Sequence, residues 1–153
     1  MIRQCLDMEF VNSFMRLPEI RRYAAEFGAE DKEFTTDKSN AWLVYNLNGE
    51  AVGLIGFEII TGCAIQFHPY ILRDFKLNYD EMVQEFFKWF ASSEQSVIRK
   101  LNVVIPEICA GALAAAERAG MIVEGVDRLS WLTDFGACDR ILMGITREEI
   151  NNE

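Results

Sequence analysis

The chain has 153 residues, half of them hydrophobic, a quarter charged and 12% aromatic, with eleven phenylalanines. That composition can bury a core; it excludes a wholly disordered chain or a fibrous repeat, and the length fits one domain spanning residues 1–153. Fifteen Lys and Arg against 24 Asp and Glu give a formal charge of -9, so the chain repels phosphate backbones and nucleic acid is not an expected partner.

Asp7 can cap a first helix over residues 8–15, where apolar residues recur at spacings of three and four. Pro18 opens a second helix over 19–27, stopped by Gly28, and the polar residues 29–40 read as a flexible surface loop. A strand follows over 41–47; Asn48-Gly49 supplies the positive φ angles of a tight hairpin, and the return strand 51–60 is apolar except for Glu58. Thr61-Gly62 turns the chain into a third strand, 63–70, which completes an antiparallel meander.

A helix starting at Asn78 or Asp80 runs to Ala91, with Met82, Val83, Phe86, Phe87 and Phe90 on one broad face. Trp89 or Phe87 is then left over for a homodimer or protein-partner surface. Strand 101–105 ends at Pro106, and an alanine-rich helix over 107–119 is stopped by Gly120. Two strands, 121–133 and 140–146, close the chain around a turn at 134–136. Strands 63–70 and 101–105, bridged by a helix, make one βαβ crossover in an otherwise antiparallel sheet.

Cysteines stand at 5, 63, 109 and 138 with no CxxC pair, and the single histidine, His68, excludes a multi-histidine metal site; no metal is expected. The first residues lack the apolar run of a signal peptide, and no stretch approaches the ~18 apolar residues of a membrane span. Free thiols in a cytoplasmic protein, without a membrane partner, are therefore expected.

Ile65-Gln66-Phe67-His68-Pro69-Tyr70 carries an apolar-x-Pro strand ending. Ala112 to Gly120-Met121, then Glu124-Gly125 and Arg128, follows an "A…GF..EG..R" passage, with Asp139 near the start of the last strand. Together with the element order, these features resemble the GNAT (Gcn5-related) N-acetyltransferase family along nearly the whole chain. The resemblance implies an α/β (α+β) fold: a mixed, mostly antiparallel sheet of six to seven strands with helices on both faces. It implies acetyl-CoA as cofactor and an amine, on a small molecule or a protein, as acceptor. The family's pyrophosphate loop, (Q/R)xxGx(G/A), matches Arg73-Asp74-Phe75-Lys76-Leu77-Asn78, with Lys76 and Asn78 at the glycine positions. The implied cofactor-binding residues are Phe67, Pro69, Arg73, Lys76, Leu77, Asn78, Tyr79 and Cys109. Cys109 and Ala116 stand where the family commonly has Asn and a proton-donating Tyr, so that acid is missing.

Acetyl transfer needs an amine freed of its extra proton and a donor for the departing thiolate. Glu58, a lone carboxylate in an apolar strand, is a candidate base whose pKa would rise on burial; the alternative is a solvated or paired structural charge. His68 is a second candidate proton acceptor, or a hydrogen-bonding residue at a strand end. Tyr70 and Tyr79 flank the loop as proton donors or as packing residues. Cys63 or Cys109 as acyl-accepting nucleophile has no partner visible in the sequence. The charge balance favours cationic acceptors. The expected function is an acyl-CoA-dependent N-acetyltransferase. The alternative is a catalytically inactive GNAT-like phage protein, a binding or virion-assembly module found in host cytoplasm or virion.

Overall fold

Asn48 and Gly49 both take positive φ (50° and 86°), the backbone twist that joins two strands through a two-residue turn. They connect β2 (Asn40–Leu47) to β3 (Glu50–Thr61), and β4 (Ala64–Ile71) completes the meander. The computed structural model describes residues 1–29, 31, 33–92 and 96–152. Its sheet has seven strands in the order β1-β2-β3-β4-β5-β7-β6, where β1 is Ile2–Cys5, β5 Lys100–Pro106, β6 Ile122–Thr133 and β7 Gly136–Thr146. All neighbours are antiparallel except β4 and β5.

Alternation along the strands splits the core in two. Leu43 and Tyr45 face α3 (Tyr79–Ala91) and α4 (Ala110–Arg118), joining Ile55, Phe67, Phe86, Leu101 and Met143. Trp42 and Val44 face the other way, toward α1 (Met8–Met15) and α2 (Pro18–Ala24), joining Val11, Phe14, Ile20 and Leu54. Helices thus cover both faces. Phe87, a candidate for the surface, is instead 2% exposed in the first core. Trp89 stays 41% exposed while stacking on Phe86 at 5.8 Å.

Several boundaries differ from expectation for local reasons. Asp7 caps α1 through the Phe10 amide at 3.0 Å. The second helix stops at Ala24 rather than Phe27, because the next residues dock on β6. The Phe27 amide donates to the Leu132 carbonyl at 3.0 Å, and the Leu132 amide to the Glu26 carboxylate at 3.0 Å. Helix α4 starts three residues late, since Glu107 is held by Asp139: amide to carbonyl at 2.9 Å, and the Asp139 amide to the Glu107 carboxylate at 3.1 Å. β1 and α5 (Arg147–Asn151) were not expected. Residues 30 and 32 of the expected loop 29–40 lie outside the described residues; Phe34, in the same stretch, packs edge-on against Trp42 at 5.4 Å.

Parallel pairing of β4 with β5 covers only Ala64–Lys100, Ile65–Leu101 and Gln66–Asn102. Beyond Gln66 and Asn102 the strands part, and that parting makes the site.

Candidate active site

The gap between the parted strands opens into a cleft of about 950 Å³. One wall is β4, whose Phe67, His68, Pro69 and Tyr70 line it; the other is Val103 to Pro106 of β5. No ladder spans the gap, so the facing strand edges are open to a ligand that can hydrogen-bond like a strand. The 3-10 helix (Arg73–Asn78) and the first turn of α3 form the mouth, contributing Arg73, Lys76, Leu77, Tyr79 and Asp80. Cys109 and the small residues Ala112, Ala115 and Ala116 bring α4 to the side.

Of the candidate catalytic and cofactor-binding residues, the structure sets Glu58, Cys63 and Asn78 off the cleft lining. Asn78 turns its amide to the Glu81 carboxylate at 3.1 Å. Among the described residues, only Asn48 and Leu129 take positive φ without being glycine. Lys76 and Asn78 therefore adopt conformations that need no glycine, Asn78 with φ -92° and ψ 5°. The Asn78 side chain does not cap α3, which continues directly from the 3-10 helix, the Tyr79 amide donating to the Lys76 carbonyl.

Charge is distributed unevenly. Four cations line the cleft (Arg22, Arg73, Lys76 and Arg118) against two carboxylates, Glu19 and Asp80, a balance of +2 in a chain of net -9. Arg118 grips Asp80 with two bonds of 2.9 and 3.0 Å, joining α4 to α3. The Arg73 amide donates to the Glu19 carboxylate at 2.6 Å. Sequence reasoning missed Glu19, Arg22, Arg118 and Gln66. Only Gln66 was visible beforehand, two residues from His68 on one strand face.

Glu58 is exposed, the solvated one of the two alternatives, because the helices that cover the middle of β3 do not reach its end. It instead meets β4 across the hairpin. Gln66 Nε2 lies 3.5 Å from Glu58 Oε1 and 3.1 Å from His68 Nε2, and His68 Nε2 lies 4.0 Å from Glu58 Oε1. The Gln66 amide thus bridges the two side chains, and its role at His68 Nε2 follows the ring's tautomer.

Burial pushes the Tyr70 hydroxyl well above the ordinary tyrosine range. Burial does the same to Tyr79, with smaller contributions from Tyr70, Asp80 and Cys109. Both keep their protons. The Cys109 thiol is pushed up by burial, then by Cys138, and the thiol rather than the nucleophilic thiolate persists. Cys63 is exposed on the β3–β4 turn beside Thr61. Cys63 thus stands off the cleft, while Cys109 lines it as a protonated thiol. All four cysteines are unpaired, and among the described residues no group of three or more His, Cys, Asp or Glu could hold a metal. No described helix is long and apolar enough to cross a membrane.

No protein-family model and no curated protein sequence matches the chain. Solved structures do. The spermidine N-acetyltransferase from Vibrio cholerae, in complex with CoA and spermine, is similar at 15% identity with a TM-score of 0.83, covering 99% of this chain and 98% of that one. A GNAT-family acetyltransferase from Streptococcus pneumoniae is similar at 16% identity with a TM-score of 0.74, covering 95% and 98%. The parted β4 and β5, the single crossover and the seven-stranded sheet are thus those of a known architecture: the chain has the GNAT N-acetyltransferase fold.

Proposed function

We propose that the chain is an acyl-CoA-dependent N-acyltransferase, with acetyl-CoA as donor and a cationic amine as acceptor. One observation carries the reading: an open-edged, positively lined cleft in a negative protein adjoins the Glu58–Gln66–His68 cluster. When bound, the cofactor would supply the acyl group activated as a thioester. Arg73, Lys76 and the first-turn amides of α3 would hold its phosphates. Phe67, Pro69, Leu77, Tyr79 and Cys109 would flank its arm, and Asn78 would start the helix whose amides face the phosphates.

His68 takes the proton of the acceptor amine. Glu58, 4.0 Å away, stabilises the charged ring, and Gln66 fixes the ring's orientation. Tyr70 and Tyr79 hold their protons on Oη at the cleft, Tyr79 replacing the acid absent at Ala116. Acceptors such as polyamines or protein amines suit the negative surface outside the cleft; the V. cholerae neighbour was solved with spermine. No observation favours the alternative of a non-catalytic virion-assembly module.

Calorimetric titration with acetyl-CoA tests the reading. Saturable binding is expected, and no heat at millimolar cofactor would sink it. Glu58→Gln and His68→Ala should each lower turnover, His68→Ala by roughly 10²-fold, with cofactor affinity unchanged. Unchanged turnover would move the proton acceptor elsewhere.

A further inference from the structure

We infer that Glu19 is a built-in competitor for the anionic end of the donor, a specificity-determining residue that sets donor affinity from within the chain. The inference rests on the acyl-CoA reading above. Of the two carboxylates lining the cleft, Asp80 is neutralised by the two-bonded Arg118. Glu19 forms no ion pair among the described residues. Its Oε2 accepts the Arg73 amide at 2.6 Å, 54 residues away in sequence. A carboxylate and a phosphate oxygen are the same kind of partner for an N–H donor, and two anions do not share one donor cheaply. A donor phosphate arriving beside Arg73 and Lys76 must therefore displace Glu19 or bind against its charge.

Glu19 is not needed to hold α2 in place. Ile20 is 2% exposed in the core beneath it, and Glu26 and Phe27 separately fix the segment after α2 to Leu132. Two anchors thus sit on one strap, and only the one at Glu19 lines the cleft. Its charge can be changed while the strap stays docked.

The test is calorimetric titration of CoA into wild type, Glu19→Gln, Glu19→Lys and Glu26→Gln. Affinity should rise in the order Glu, Gln, Lys at position 19, with the first step roughly tenfold, and Glu26→Gln should match wild type. Equal affinity across position 19 would overturn the inference while leaving the acyl-CoA reading intact. An equal gain in Glu26→Gln would also overturn it, since loosening of the strap would then explain the effect. Absence of CoA binding by every protein would instead overturn the acyl-CoA reading, and the inference with it.

Discussion

Gly53, in the middle of β3, leaves no room for even a methyl group. A Cβ there would lie 2.6 Å from the Met82 sulfur and 3.0 Å from the Tyr70 carbonyl oxygen. The sulfur can swing away, but the carbonyl belongs to the strand that walls the cleft. Gly53→Ala should therefore cost about 1–3 kcal/mol in urea denaturation, and stability within error of wild type would refute the close packing. A glycine inside an apolar strand is legible in sequence as a close approach, but the partner that approaches is not. Glu58 shows the same limit. Its apolar neighbours left burial and exposure both open, because exposure depends on where the covering helices end, and no local pattern records that. The strand ending draws attention to His68 and Tyr70, which line the cleft, whereas Gln66 has only its two-residue spacing from His68 to mark it.

At the scale of elements, the hairpins, the crossover and four of the helices followed from turn residues and spacing, because each is specified within a dozen residues. β1 and α5 were not legible. β1 is four residues long, and only its pairing with β2, from Ile2–Tyr45 to Cys5–Trp42, makes it a strand. α5 is five residues long and is defined by a reciprocal cap: the Thr146 amide and hydroxyl donate to the Glu149 carboxylate at 2.7 and 3.0 Å, and the Glu149 amide donates back to the hydroxyl at 3.2 Å. The Thr146 amide, then its hydroxyl, hold the Glu149 carboxyl below the usual range. A lowered folded pKa stabilises above the unfolded carboxylate range, and that stabilisation is lost as pH falls through the folded value. Glu149→Gln should accordingly melt below wild type at pH 7, and the gap should close as the pH is lowered through the carboxylate range. A gap constant with pH would show that the cap does not depend on the charge.

At the scale of the molecule, the net charge and the cleft charge have opposite signs, and salt distinguishes their roles. The Debye length is about 10 Å at 0.1 M, so charges spread over the surface are largely screened there, while Arg73 and Lys76 would act at contact range in the proposed complex. Raising the salt from 0.1 to 0.5 M should then weaken CoA binding severalfold; tighter binding would mean that the overall -9 governs approach instead. That sign of the surface charge was legible from composition. The positive cleft was legible only in part: Arg73 and Lys76 stand three residues apart in sequence, whereas Arg22 and Arg118 join them only through folding.

The sheet itself carries a seam. Strands β1 to β4 and strands β5 to β7 are stitched across the β4–β5 boundary by three residue pairs, with α3 and α4 packed over the join. A molecule lying along the open edges would act as mortar between two half-sheets. The line where the sheet is most thinly paired is thus the line that a ligand bound there would reinforce, so occupancy and rigidity would rise together.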